Sequence, residues 1–411
     1  MIGRILINEP IAVNSMASHF SSQEWRGIVA IAFVLACRML GFFMILPVFI
    51  VYAEHYQSAT LPLVGLAFGI YGLTQGLLQF PFGMLSDRFG RKRMINIGLS
   101  LSALGSLIAA LTGNIYGLIL GRAVQGSGAI GSILMALVAD MTTPENRVRA
   151  MAIVGATIGL SFALAIIIGS AVSGWFGLQG IFWLTLALSL LSMLVLQLSI
   201  PHLPKTGASF VLNHHWLQHT LLNKTLWPFL SGIMIQHAIF AGCFFILPIV
   251  LQTTLQLSEP HHWLVYTPLF LGALLIIAPT IVYAQRQHRT LQVTRLAAAV
   301  IGATLFMLSM GYQQPVWLCL GLLLYLTSFT LLEATLPTLT ANHSLRQYYG
   351  STMGLFSSSQ FLGIFIGGTL AGWLYSEFTA SRLFFTCAMM AALWFGISFL
   401  IKGEAHGTGH Q

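Results

Sequence analysis

Gly83-Met-Leu-Ser-Asp-Arg-Phe-Gly-Arg-Lys-Arg93 packs one acid, four cationic side chains and two glycines into eleven residues, in a chain where only 7% of residues are charged. Charge this dense needs water. On both sides the sequence is almost wholly apolar, from Leu61 to Phe82 and from Met94 to Leu111. Each run is long enough to cross a hydrocarbon core at about 1.5 Å rise per residue. The stretch therefore reads as a short hydrated turn between two membrane helices, and its arginines and lysines place it on the cytoplasmic side.

The rest of the chain agrees with that placement. It has 411 residues, 56% of them hydrophobic, with 40 glycines and a mean hydropathy of +0.83, against an apolar share of about 45–50% in soluble proteins. This excludes a soluble globular protein. The formal charge of +8 does not point to nucleic acid, because the basic residues gather on no tail or single helix face. Cys37, Cys243, Cys319 and Cys387 all fall in apolar runs and read as buried hydrophobes, without disulfide or metal. The first 26 residues lack the basic and apolar regions of a signal peptide, so the first membrane helix is expected to direct insertion.

Spans of membrane length fall at about 27–52, 62–84, 94–112, 116–139, 150–172, 178–200, 227–251, 263–284, 292–311, 316–340, 350–374 and 382–401. The fold class expected is an all-α membrane protein of twelve helices with both termini cytoplasmic. Of the 18 lysines and arginines, Arg38 and Arg122 lie deep in spans and Arg382 at an opposite-side turn; the other 15 lie in the tails, at turns or, for Arg295, in the first turn of a span, all on the Gly83–Arg93 side. Internal repetition divides the helices in two. Gly41-Phe-Phe-Met-Ile-Leu-Pro47 returns as Gly242-Cys-Phe-Phe-Ile-Leu-Pro248, and Ile168-Gly-Ser-Ala-Val-Ser-Gly-Trp175 as Ile366-Gly-Gly-Thr-Leu-Ala-Gly-Trp373.

The offsets describe two parallel six-helix bundles with the functional site at their interface. The expected organisation is a cytoplasmic tail at 1–26, a bundle at 27–200, a cytoplasmic loop at 201–226, a second bundle at 227–401 and a tail at 402–411. The loop Pro201–Leu226 is expected to hold a short interfacial helix. His215 and His219 within it are spaced i, i+4, but no carboxylate or cysteine joins them, so a solvated face is favoured over a metal site.

Ionisable residues inside a bilayer cost roughly 2.5–3.5 kcal/mol each and are functional candidates for that reason. Glu333 is the one acid well inside a span, and Pro337 after it removes the donor to its carbonyl, so the tenth helix should bend there. Two readings stand. Glu333 is a proton carrier facing the central cavity alongside Arg38, or a carboxylate held in a structural pair with Arg38 or another polar group. Arg122, in Arg-Ala-Val-Gln-Gly-Ser-Gly, is followed by small residues that permit close helix approach. His237 titrates near neutral pH or serves as a hydrogen-bonding packing residue. Asp140, at the end of the fourth helix, is placed to pair with Arg91, and Asp87 to accept from the start of the eleventh helix near Tyr349–Gly350. Such contacts would latch the two halves on one side. The matching turn of the second half, Tyr283-Ala-Gln-Arg-Gln-His-Arg289, has Gln285 for the acid and His288 for the glycine, so the latch should be asymmetric.

These stretches carry a resemblance. Gly83-x-Leu-Ser-Asp87-Arg88-x-Gly90-Arg91-Lys92 resembles motif A of the major facilitator superfamily, and Arg122-x-x-Gln-Gly-x-Gly-Ala129 resembles the motif of its fourth helix. Arg38-Met-Leu-Gly-Phe-Phe-Met-Ile-Leu-Pro47, Tyr71-Gly-Leu-Thr-Gln75 and Ser358-Ser-Gln-Phe-Leu-Gly363 are similar to YajR-like transporters of its drug:proton antiporter branch. The likeness spans the chain to about residue 401. The soluble domain that follows the last helix in YajR-like proteins is expected to be missing, since only Gly403–Gln411 remains.

The resemblance implies a bacterial inner-membrane transporter working by alternating access, exchanging protons for a hydrophobic or amphipathic small molecule. Its expected partners are substrate, protons and the lipid bilayer, with the proton gradient as driving force, no cofactor or metal, and a monomeric state. It implies that Asp87, Arg91 and Asp140 stabilise the outward-facing state and that Arg122 takes part in proton coupling. With the reading of the residues, the expected latch is Gly83, Asp87, Arg88, Gly90, Arg91 and Asp140, and the expected proton-coupling and substrate cavity is Glu333, Arg38, Arg122, His237 and Gln236. Hinges are expected at Pro47, Pro248, Pro337, Gly155, Gly159 and Gly169. In the fifth helix Ser170 stands where the antiporter motif has a Gly-Pro pair. The alternative substrate class is a polar metabolite such as a sugar or amino acid, for which Gln236, His237, Thr335 and Asn342 are available. A membrane sensor would call for a sizeable soluble domain, and an enzyme for a nucleophile–base pair or metal set; the sequence offers neither.

Overall fold

The computed structural model describes residues 20–200, 223–344 and 349–401. Expectations for the 201–222 segment, including His215 and His219, and for residues 1–19 and 402–411 lie outside those residues, while the first helix already begins at Ser22, within the stretch expected as a tail. The described chain is helical throughout, with one isolated bridge between Gln57 and Asn114. Eleven helices are long and apolar enough to cross a membrane. One of them, Pro144–Ser199, holds two spans separated at Gly177, whose φ of 63° breaks the helical path, which brings the spans to the expected twelve.

In the first half, α1 (Ser22–Phe43) starts on a capping box: Glu24 N donates to Ser21 Oγ at 3.1 Å and Ser21 N to Glu24 Oε2 at 2.9 Å. The same carboxylate accepts from Thr143 N at 2.9 Å and from Asn146 Nδ2, tying the start of α1 to the turn before α7. The helix breaks around Pro47 and resumes as α2 (Phe49–Ala53). Then come α3 (Leu61–Phe89), α4 (Arg91–Leu111), α5 (Ile115–Ser127), α6 (Gly131–Met141) and α7 (Pro144–Ser199). The fourth span is thus two helices, α5 and α6.

In the second half, α8 (Trp227–Leu255) is the most enclosed helix, followed by a 3-10 turn at Glu259–His261. Next are α9 (Trp263–Arg286), α10 (Thr290–Gly311), α11 (Pro315–Asn342), α12 (Tyr349–Glu377) and α13 (Ala380–Ser398).

The Gly83–Arg93 stretch is more helical than its charge density suggests. α3 continues to Phe89 and α4 begins at Arg91, so the turn is Gly90 alone, with φ 98° and ψ 140°. A non-glycine residue rarely takes that conformation. The polar side chains reach water because they sit at helix ends rather than on a loop. His288, in the corresponding place of the second half, also has a positive φ, 53°.

Two pairs of contacts repeat across the halves. Lys92 Nζ donates to Gln197 O and Ile200 O at 3.2 and 2.6 Å, capping the end of α7, and Arg295 Nη2 donates to Ser398 O and Ile401 O at 3.2 and 2.9 Å, capping the end of α13. Gly169 lies against the Met44 carbonyl beyond α1 and Gly367 against the Ala238 carbonyl of α8; a Cβ would stand 2.3 and 2.0 Å from those oxygens. The repeat is not complete. Pro47 marks a helix break, whereas Pro248 lies inside unbroken α8 and Pro337 inside unbroken α11.

The halves meet along a glycine seam. Gly65, Gly69, Gly72 and Gly76 of α3 face α12, and a Cβ on Gly65 would stand 2.6 Å from Gly372 Cα. Small residues let backbones approach this closely, and dispersion then acts over the whole seam. Further contacts across the halves cluster at the end opposite Gly83–Arg93. Gly174 abuts Pro260, and buried His262 places Nδ1 3.2 Å from the Pro47 carbonyl oxygen. The structure is closed at that end. Towards the other end of α7, Gly155 and Gly159 have open space around them.

Candidate functional site

Glu333 lies on α11 and points at α8. Its Oε1 accepts from Gln236 Nε2 at 3.1 Å and stands 3.4 Å from His237 Nε2. Gln236 also donates to the Phe329 carbonyl at 3.2 Å. The His237 ring is fixed from two sides: Nδ1 lies 3.1 Å from the Ile233 carbonyl one turn back, and Nε2 lies 2.8 Å from Gln360 Nε2 of α12. That close approach of α12 exists because Gly363 lies directly against the Met234 carbonyl and the His237 Cβ. A third of the Glu333 side chain remains accessible (33%), against 5% for His237. The structure does not bring Arg38 to Glu333. Their recorded polar partners lie in different halves, and the pair contemplated from sequence is replaced by Glu333 with His237 and Gln236.

Ring contacts surround this group. Phe240 stacks on Phe329 at 4.7 Å between centroids, and His237 lies edge-on to Phe329 at 5.7 Å. From the first half, Phe162 reaches Phe240, Phe244 and Phe270 at 6.4, 6.1 and 5.1 Å. The carboxylate and imidazole thus border an aromatic layer shared by both halves.

The two intramembrane arginines form a separate group inside the first half. Arg38 Nη2 donates to Gln75 Oε1 at 2.5 Å, and Arg122 Nη1 to Gln125 Oε1 at 2.6 Å. Gln125 Nε2 donates on to Ser106 Oγ at 2.9 Å. Both guanidinium groups lie by the Tyr71 ring, at 5.9 and 4.6 Å from its centroid, within cation–π range. Glycines set this geometry: Gly126 packs α5 on the Tyr71 carbonyl, and Gly105 packs α4 on the Gln125 backbone.

The charged cluster at the α3–α4 junction is centred on Arg91. It bonds Ser86 Oγ at 2.6 Å and Asp140 Oδ2 at 3.1 Å, and pairs with Asp87 one turn earlier. All these residues belong to the first half. The recorded partner of Asp87 is Arg91. Arg88 is exposed over the Phe89 ring, and Gly83 accepts from Ser86 Oγ through its carbonyl.

Sequence reasoning passed over Gln75, Tyr71, Gln125 and Gln360 as site residues, although all four lie in stretches quoted for the resemblance. A lone glutamine in an apolar helix was the available signal.

The sequence pattern of the Major Facilitator Superfamily matches residues 31–368. The chain belongs to the major facilitator superfamily. Within it, the chain is 38% identical over 385 residues to the Inner membrane transport protein YajR of Escherichia coli (strain K12), covering 92% of this chain and 84% of that protein. It is 32% identical to an uncharacterized transporter of Buchnera aphidicola subsp. Baizongia pistaciae, covering 92% and 97%. Among solved structures, a bacterial homologue of the human lysosomal transporter Spinster superposes with a TM-score of 0.73 at 13% identity, over 93% of this chain and 97% of that one. This major facilitator is thus a multi-pass membrane transporter, and its fold is the superfamily's all-helical one.

Proposed function

We propose that the protein expels hydrophobic or amphipathic small molecules in exchange for protons, with Glu333 and His237 as the proton site. The observation that carries this reading is the Glu333–His237 contact beside the aromatic layer between the halves. Facing a carbonyl, Nδ1 holds the ring proton, which leaves the Nε2 lone pair towards the Gln360 amide and Glu333 Oε1. An ionised carboxylate there meets no donor from the ring. One added proton, on either Oε1 or Nε2, turns the contact into a donor–acceptor pair. The pair is therefore suited to hold one proton and to release it when a substrate or water replaces the contact.

Aromatic walls with one carboxylate suit a flat or tailed lipophilic compound better than a sugar, which needs several converging hydroxyl and amide groups. The Gly83–Arg93 end is assigned to the cytoplasm by its positive charge. The closed opposite end then leaves the cavity to be filled from the cytoplasm, as export requires. The drug:proton antiporter branch is proposed on the same grounds. The test is proton flux in proteoliposomes under an imposed pH gradient, with lipophilic cations, neutral lipophilic compounds and sugars offered in turn. Proton movement driven by a lipophilic compound supports the reading; movement driven by sugars alone would replace it with the polar-metabolite alternative.

A further inference from the structure

The group around Tyr71 has two cations and no recorded anion. Arg38 is 7% exposed and Arg122 2%, and each carries five N–H donors, of which the structure pairs one with a glutamine oxygen. The Nε of both arginines is buried without a partner. No ion pair involving either residue occurs among the described residues, and Glu333, the acid of the spans, is engaged in the other half. The neighbouring hydroxyls of Ser106, Ser189 and Thr185 each donate to a carbonyl of their own helix and keep acceptor lone pairs, but among the described residues none is recorded accepting from either guanidinium. Two unneutralised guanidinium groups in a low-dielectric bundle are costly, and the cost falls when an anion joins them.

A small pocket opens beside them. Arg38, Tyr71, Ser102, Gln125, Thr185 and Ser189 are among its lining residues, all in the first half. Phe42 also lines it, stacked on Tyr71 at 5.1 Å and edge-on to Phe361 of the second half at 6.4 Å. One aromatic ring of the pocket's wall thus touches the second half.

We propose that this pocket is an anion site, in which a single anionic group sits against Arg38 Nε, with Ser102 and Gln125 as polar neighbours and Arg122 adding its charge from behind Gln125. The occupant is a free halide-sized anion or the acidic head of a tailed compound whose apolar part extends past Phe42. The site stands apart from the proton reading, because none of its residues touches Glu333 or His237.

Purified protein in detergent micelles, kept in gluconate, is titrated with radiolabelled chloride, then with octanoate and octyl sulfonate as competitors and as direct ligands followed by thermal shift. Saturable binding at about one site per chain, weakened at least about tenfold in Arg38→Gln, is the expected result. Binding of chloride alone assigns a free anion; binding of the tailed anions alone assigns a substrate head group. Arg38→Lys, which keeps the charge but lacks Nε, should bind more weakly than wild type and serves if Arg38→Gln does not fold. Absence of saturable binding by all three probes, or equal binding in a folded Arg38 variant, overturns the proposal. Proton-flux defects in Glu333→Gln with anion binding intact would separate the two sites.

Discussion

His237 Nε2 stands 3.4 Å from Glu333 Oε1 while its Nδ1 is held by the Ile233 carbonyl, so the carboxylate faces the one ring nitrogen that is free to change its proton. Glu333→Gln keeps the size and the Gln236 bond but cannot ionise. Substrate-driven proton flux should fall to about a tenth or less, while substrate binding in detergent changes by under about threefold. Proton flux at the wild-type level in this variant would remove Glu333 from the mechanism.

The glycine seam gives a second expectation. A Cβ at Gly65 would meet Gly372 Cα at 2.6 Å, backbone against backbone, with no flexible side chain to yield. Gly65→Val should push α3 from α12 at a cost of about 1–3 kcal/mol to the closed arrangement. Spin labels at Glu54 and Thr253, exposed on the two halves at the closed end, should report a longer distance in the variant than in wild type. An unchanged distance distribution would mean that the seam does not hold that end shut.

The twelve spans were legible because each is a long apolar run bounded by charge or turn residues, a signal that needs no tertiary information. Helix ends were less so. Asp87 and Arg88 look like loop residues by polarity, yet they extend α3, because a helix end projecting into water satisfies charge and backbone together. The site was half legible. Glu333 stood out as an acid among apolar neighbours, but its partner is decided by which helices touch. Arg38 and Glu333 attract each other on paper; the packing gives Arg38 to Gln75 and Glu333 to α8. Tyr71 between two arginines depends on the close approach of α5 at Gly126, which no local pattern encodes.

Arg91 is shared by Asp87, Asp140 and Ser86, so removing one acid leaves it paired. The pairs are partly exposed, with side-chain accessibilities of 18%, 25% and 30% for Arg91, Asp87 and Asp140, and each is worth about 0–1 kcal/mol. Asp87→Asn and Asp140→Asn should each shift the melting temperature by no more than about 4 °C. The double variant should lose more transport than the product of the single losses, because Arg91 then has no carboxylate. Strict multiplicativity in transport rates would show that the two acids act independently.

His262 supplies the last expectation, a pH dependence of closure. The buried ring lies between two carbonyls: Nδ1 is 3.2 Å from Pro47 O of the first half and Nε2 is 3.3 Å from Leu257 O of its own. A neutral imidazole donates to one of them only, whereas the protonated ring donates to both. The charged groups around it are already engaged: Glu259 bonds Gln252, His261 bonds the Ser258 hydroxyl, and Tyr266 meets the ring edge-on. Burial outweighs the two carbonyls and holds the ring's pKa below the ordinary imidazole value, so protonation is disfavoured while the ring is enclosed. Acid should therefore loosen the contact between the halves at this end, and neutral or higher pH should keep it tight. Between about pH 8 and about pH 5 the short-distance fraction for labels at Glu54 and Thr253 should fall, with the change setting in below the ordinary imidazole range. In His262→Gln, which has no proton to gain, the same measurement should be flat. A wild-type profile that is itself flat, or a fall that persists in His262→Gln, would place the pH response elsewhere in the molecule.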